Sequence, residues 1–189
     1  MRAYCLLAML IPIIIVAGCT GGGNTATVHV RGPENATVTI IEYGDFECPA
    51  CSMAEPIMKK VLETYPTQVK LIFKDVPIPY HTYAQKASEA AECAGAQGKY
   101  WEMHDKLFEN HNALKISDLK QYAVDIGLDT EKFNECLDSG AMAGDVAADM
   151  ADARQAGVDA TPTFFVNGRK VVGVQPFSVW QGIINRELG

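Results

Sequence analysis

Two thiols stand two residues apart in Cys48-Pro49-Ala50-Cys51. A pair at that spacing can close into a disulfide and reopen, so with one thiol activated it is a device for exchanging disulfides. Two other chemistries use the same spacing. Half of a zinc site would need two further ligands. The chain has no second Cys-x-x-Cys, and His29, His81, His104 and His111 are scattered, the closest pair seven residues apart. No metal is expected, and the four histidines are read as surface or satisfied core residues without a role. An inert structural disulfide is the other alternative.

The flanking sequence says how the pair would be held. Val38-Thr39-Ile40-Ile41-Glu42-Tyr43 is apolar and β-branched, the composition of a buried strand. From Ser52 to Tyr65 apolar residues recur at Met53, Ile57, Val61 and Leu62 with Lys59, Lys60 and Glu63 between them, which predicts an amphipathic helix. The cysteines therefore fall at a strand-to-helix turn, with Pro49 suited to a first helical position that needs no N–H donor. Unpaired N–H groups and the positive end of the helix dipole favour a thiolate there. That makes Cys48, at the exposed helix start, the expected nucleophile, and Cys51, one turn inward, the resolving cysteine.

The start of the chain bears on compartment. Arg2 precedes an apolar run from Ala3 to Ala17, followed by Gly18-Cys19-Thr20-Gly21-Gly22-Gly23. A short positive start, an apolar stretch and small residues describe a secretory signal better than a membrane span, which needs about 20 apolar residues. Val16-Ala17-Gly18-Cys19 resembles a lipoprotein processing box, with Val where Leu is commoner. The expectation is a lipoprotein-type signal at 1–18, lipid on Cys19 and a flexible tether at 19–26, with an ordinary signal peptide or an uncleaved anchor as alternatives. Each version places the rest of the chain outside the cytoplasm, facing the periplasm or the cell exterior.

With Cys5 in the signal and Cys19 lipidated, four cysteines remain, and an even number in an exported protein suggests two disulfides. The Cys-x-x-Cys spacing pairs Cys48 with Cys51 and leaves Cys93 for Cys136. Both of the latter lie on helical patterns, and two buried thiols that never meet are the alternative. The chain carries 16 Lys and Arg against 23 Asp and Glu, and loss of the signal, whose one charge is Arg2, leaves a net −8. An acidic chain without a basic cluster is a poor partner for nucleic acid.

Period and punctuation give the organisation. Strands are predicted at 26–31, 37–43 and 69–74. After the break at Pro77-Ile78-Pro79 the pattern is helical, at 84–97, 99–112, 117–127, 130–139 and 141–156. Strand character returns at Thr163-Phe164-Phe165-Val166. Asn167-Gly168 is a favoured hairpin turn, Lys170–Val174 its second strand, and 176–188 a closing helix. An α/β unit at 27–81 and 158–189 is thus interrupted by a helical insertion at 82–157.

These residues together resemble the thioredoxin fold in its DsbA-like form. The resemblance rests on Glu42-Tyr43-Gly44-Asp45-Phe46-Glu47-Cys48-Pro49-Ala50-Cys51, on Gly157-Val158-Asp159-Ala160-Thr161-Pro162-Thr163-Phe164-Phe165-Val166-Asn167-Gly168, and on Gln97-Gly98-Lys99-Tyr100-Trp101-Glu102-Met103-His104-Asp105 in the insertion. It implies a cis peptide bond at Pro162 packed against the active-site disulfide. It makes Glu42, six before Cys48, the buried acid beneath the pair. It also implies that Thr161 and the Pro162 backbone bind an extended substrate chain. Strongly oxidising family members carry His between the cysteines, where this chain has Ala50. Potentials in this fold span about 150 mV, roughly 7 kcal/mol for a two-electron couple.

The function expected is that of a membrane-tethered thiol-disulfide oxidoreductase, monomeric and cofactor-free, acting on client proteins with cysteines and served by a membrane redox partner. The oxidising direction is the first reading. A reductase or isomerase with the same chemistry, a binding lipoprotein without turnover, and an assembly factor with a permanently closed disulfide are the alternatives.

Overall fold

The computed structural model describes residues 28–189. The expected signal, Cys19 and the tether lie outside the described residues. Among the described residues no helix is long and apolar enough to cross a membrane.

The chain runs β1 (Val30–Arg31), β2 (Val38–Gly44), α1 (Pro49–Thr64) and β3 (Val69–Asp75). Five helices follow: α2 (Ala84–Gly95), α3 (Tyr100–Glu109), α4 (Ile116–Asp125), α5 (Thr130–Ser139) and α6 (Ala143–Gln155). It closes with β4 (Thr163–Val166), β5 (Arg169–Val172) and α7 (Phe177–Leu188). The strands form one sheet in the order β1-β3-β2-β4-β5. β2 and β3 are parallel, joined through α1, and the other pairings are antiparallel. This is a thioredoxin-like fold, with α2–α6 inserted between β3 and β4.

Alternation along the central strands decides what faces the helices. Val38 and Ile40 of β2, Val69 and Leu71 of β3, and Phe164 and Val166 of β4 pack with Ala54, Met58 and Val61 of α1 and Trp180, Ile183 and Ile184 of α7. A second core joins Phe46, Cys48, Cys51 and Phe73 to the insertion, including Ala87, Ala90, Ala91, Met103, Leu107, Phe108, Phe133 and Leu137. The Cys-x-x-Cys turn is therefore built into the seam between the sheet and the insertion.

Element ends differ from the predicted ones where glycine stops them. β5 ends at Val172 rather than Val174 because Gly173 takes φ +75° and donates its N–H to the Pro162 carbonyl. α4 stops short of Gly127, which takes φ +68°. Asn167 and Gly168, at φ +46° and +85°, make the predicted hairpin turn, and the Asn167 side chain also accepts from Thr39 N.

The larger correction concerns α1. Its buried stripe is Cys51, Ala54, Glu55, Met58 and Val61, whereas Met53 is 63% exposed. The predicted face through Met53 and Ile57 is rotated from the real one. The helix must turn Cys51 inward under the β2 turn, and that places Ala54, Glu55 and Met58 on the same inner face. Pro56, inside α1, gives up one backbone donor to the Ser52 carbonyl.

In the insertion, Cys93 of α2 and Cys136 of α5 form a disulfide, with a Cα separation of 5.9 Å. Cys93 is buried and Cys136 half-buried. The bond spans 43 residues. Closing a loop of that length should restrict the unfolded chain by about 4 kcal/mol. Replacing both cysteines with Ala should therefore lower the unfolding free energy by up to about 4 kcal/mol in denaturant titrations. An unchanged midpoint would show that the insertion does not depend on this link.

Candidate active site

Register brings the site together. β2 pairs with β4 through Glu42↔Phe164 and Tyr43↔Thr163, so Pro162 and Thr161, just before β4, meet the turn that follows Gly44. The Thr161–Pro162 peptide is cis. Gly44 has to be glycine, since a Cβ there would lie 2.5 Å from the Phe73 ring. Asp45 then locks the turn. It is fully buried; its Oδ1 accepts from Glu47 N at 2.7 Å, and its Oδ2 from Ile78 N at 2.8 Å with His81 Nδ1 at 2.7 Å. Glu47 reaches the start of α2, where its Oε2 accepts from the N–H groups of Tyr83 and Ala84 at 2.6 and 3.0 Å. A carboxylate at a helix N-terminus satisfies orphan donors and meets the positive dipole end.

Cys48 is the N-cap of α1, Pro49 opens the helix exposed to solvent, and Ala50 is half-buried against the insertion core. Both Cys48 and Cys51 are free thiols here, the first 7% exposed and the second fully buried. Their environments are opposed. The Cys51 thiol donates toward Cys48 and is the largest influence holding its pKa down to about 5, from an ordinary 9.0. Burial of Cys48 works against this, and the Thr161 side chain and the N–H groups of Cys51 and Ala50 add to the lowering. As a thiol, Cys48 donates to the Thr161 carbonyl at 3.7 Å. Once ionised, it can accept from the Thr161 hydroxyl, which is buried and without another partner among the described residues. The Cys51 thiol is pushed far above the ordinary range by burial, by its bond to Cys48 and by the Glu42 charge; Asp45 N, which approaches its sulfur at 3.4 Å, opposes this weakly.

Glu42 is 1% exposed, so the strand-end carboxylate faces inward rather than toward water. Burial first, and then the charge of Glu55, raises its pKa well above the carboxylate range. Among the described residues neither of its oxygens has a hydrogen-bond partner.

Several groups around the site were assigned no role from sequence. His104 is fully buried, edge-on to Phe46, Phe73, Trp101 and Phe108. Its Nδ1 lies 3.0 Å from Asp105, while Nε2 has no partner among the described residues. Of the surface or satisfied core positions expected for the histidines, it takes the core one, partnered at Nδ1 alone. Ser52 Oγ meets His111 Nδ1 at 3.1 Å. Two clusters bring metal-capable atoms within 4.8 Å of one another, Glu55–His104–Asp105 and Asp75–Glu92–Asp149. Protein groups already engage part of each: Arg31 pairs with Asp105, Lys74 with Asp149, and His29 Nε2 lies 2.9 Å from Glu92, while Asp75 keeps both oxygens unpartnered among the described residues.

Sheet order, the insertion and the paired thiols define a thioredoxin-like protein. A family model described as thioredoxin matches residues 24–186, and the chain belongs to that family. Its fold is similar to that of a thioredoxin-like oxidoreductase from Silicibacter pomeroyi DSS-3, at TM-score 0.76 and 28% identity over 84% of this chain and 91% of that one. It is similar as well to oxidised BdbD from Bacillus subtilis, at TM-score 0.75 and 26% identity over the same shares. Curated relatives include a Na(+)/H(+) antiporter NhaA 3 from Salinispora tropica, 45% identical over 152 residues, which are 80% of this chain and 23% of that protein. An NhaA antiporter from Herminiimonas arsenicoxydans is 38% identical over 145 residues, 77% of this chain and 23% of that protein. The chain thus spans about a quarter of the length of the curated relatives it matches.

The lowered Cys48 pKa has a thermodynamic consequence. Between about pH 5 and the unfolded value of 9.0, the native dithiol binds fewer protons than the unfolded chain, so its stability rises with pH and the gain is lost as pH falls through about 5. The disulfide form has no such group, and Glu42 is common to both forms. Melting curves should therefore show the dithiol form gaining on the disulfide form from about pH 5 to 8. A gap independent of pH would contradict the assignment.

Proposed function

We propose that the protein is an extracytoplasmic thiol-disulfide oxidoreductase that passes the Cys48–Cys51 disulfide to cysteine-bearing client proteins. The observation that carries the proposal is the contrast between the two sulfurs. Cys48 is ionised at neutral pH, while Cys51 is held protonated by burial, by its bond to Cys48 and by Glu42. A stabilised thiolate makes the dithiol the favoured form and the disulfide an oxidant.

The chemistry follows from these positions. A client thiolate attacks Cys48 Sγ, a client–Cys48 bond forms, and the electron pair of the Cys48–Cys51 bond goes to Cys51, which takes a proton from Glu42. The client's second thiolate then attacks the client sulfur of the mixed disulfide. Cys48 leaves as thiolate, and two electrons have moved from client to enzyme. Thr161 and the Pro162 backbone border Cys48 and offer an extended client chain its hydrogen bonds. Reoxidation reverses the steps against a membrane partner that supplies a disulfide.

Location belongs to the same proposal. Lipid on Cys19 would hold a monomer at the membrane by the 19–26 tether. The apolar run from Ala3 to Ala17 ahead of Cys19 and the Cys93–Cys136 disulfide, of a kind that persists in oxidising compartments, support it. Ion exchange, named for the antiporter relatives, is no part of the reading.

Cys51→Ser removes the group that releases a stalled intermediate. In cells this variant should accumulate mixed disulfides with clients through Cys48, seen as high-mass bands that collapse on reduction, whereas Cys48→Ser should yield none. Equal trapping by both variants, or by neither, would refute the assigned roles.

A further inference from the structure

When a client thiolate opens the Cys48–Cys51 bond, the displaced electron pair arrives on Cys51, a fully buried sulfur. Charge developing in a dry site is stabilised by donors already aimed at it. One such donor is in place: Asp45 N lies 3.4 Å from Cys51 Sγ. In the dithiol, where Cys51 holds its own proton, this N–H counts for little. It counts for more as the bond breaks, because only then does the sulfur carry charge. A main-chain N–H cannot turn by itself, so its aim depends on whatever fixes the Asp45 peptide.

Asp45 is held through both its backbone and its side chain. Its carbonyl accepts from Cys48 N at 3.1 Å, so the residue touches both halves of the motif. Its buried carboxylate accepts from Glu47 N and Ile78 N, and Oδ2 meets His81 Nδ1 at 2.7 Å. Facing a carboxylate, that nitrogen carries the proton. Among the described residues His81 is the one side chain bound to the Asp45 carboxylate. Its ring is delivered by a turn in which Pro79 and Tyr80 lie between Ile78 and His81, closed by His81 N donating to the Ile78 carbonyl at 2.9 Å. The Tyr80 ring stands edge-on to it, 4.9 Å away. The His81 side chain is 16% exposed, whereas the Asp45 side chain is fully buried. Without the imidazole, one oxygen of a buried acid would lose its charge-assisted bond, and the turn would be free to rotate the N–H off the sulfur.

We propose that His81 is a positioning residue for disulfide opening: through Asp45 it aims a main-chain N–H at the Cys51 sulfur as that sulfur takes up charge. The inference rests on the thiol-disulfide reading in which a client attacks Cys48. In that step the client–Cys48 bond forms, the Cys48–Cys51 bond breaks, and the electron pair passes to Cys51 Sγ. The Asp45 N–H donates a hydrogen bond to the departing sulfur and keeps its proton. His81 touches neither client nor sulfur, and it has no part in a step where Cys48 alone leaves.

The test compares two thiol exchanges of the full protein with dithiothreitol near neutral pH, followed by acid quench and alkylation. The first is opening of the Cys48–Cys51 bond, in which Cys51 receives the charge. His81→Leu should slow it about tenfold, the scale of one lost hydrogen bond to a charged group. His81→Asn, whose amide nitrogen can stand where Nδ1 does, should restore the wild-type rate. The second is release of glutathione from Cys48 in Cys51→Ser, where the charge never reaches position 51. Adding His81→Leu there should leave the rate unchanged. Should His81→Leu not fold, His81→Phe fills the same place without a donor. A wild-type opening rate in His81→Leu would overturn the inference and leave the exchange reading standing. Slowing of both exchanges, or an Asn variant as slow as the Leu one, would mean that His81 only supports the fold of the turn, and would overturn it too. A wild-type bond that dithiothreitol fails to open would remove the exchange reading itself.

Discussion

The hydrogen bond between the two thiols is the interaction on which the site depends, because it divides one motif into two unlike groups. Cys48 gains the Cys51 donor, the Thr161 side chain and the N–H groups that open α1, and its pKa falls to about 5. Cys51 is pushed the other way by burial, by the same hydrogen bond and by Glu42. Neither shift is available to a free Cys-Pro-Ala-Cys peptide. Both need a helix start that leaves one sulfur at the rim and buries the next under the sheet.

The fold supplies that asymmetry by pinning the turn from several sides. Glycine at 44 lets the Phe73 ring approach β2, Asp45 ties the turn to the segment after β3, and Glu47 fastens it to the start of α2. The insertion thus does more than add mass. It brings Ala87, Ala90, Ala91 and Phe108 into the same core as the buried sulfur, and it sets His104 edge-on to Phe46 of the turn. Desolvation raises Cys51 and Glu42 together, so a loosened insertion would lower both and narrow the difference between the sulfurs.

What could be read from sequence was whatever short-range pattern controls. The strand before the motif, Pro49 at the helix start, the Asn167-Gly168 turn and the order of elements follow from residue type and spacing. The inner face of α1 did not. Met53 and Ile57 fit helical spacing as well as Ala54 and Met58 do, and the choice between the faces is made by burying Cys51. Glu55 was hidden for the same reason, since a charged residue on a helix reads as solvated until the helix is docked. His104 stood in a recognised stretch, but its aromatic surroundings gather residues from three parts of the chain: Phe46, Phe73, and Trp101 with Phe108. Ala50, where strong oxidants of the family carry His, left the strength of the thiolate open. The structure finds it in Cys51 and Thr161 instead.

The central claim is that a stabilised Cys48 thiolate makes the disulfide an oxidant, and the reduction potential of Cys48–Cys51 in equilibrium with a glutathione buffer tests it most directly. The account predicts a potential between about −200 and −120 mV, on the oxidising side of the range for this fold. A value near about −270 mV, where thioredoxin lies, would contradict it and make the same site a reductant.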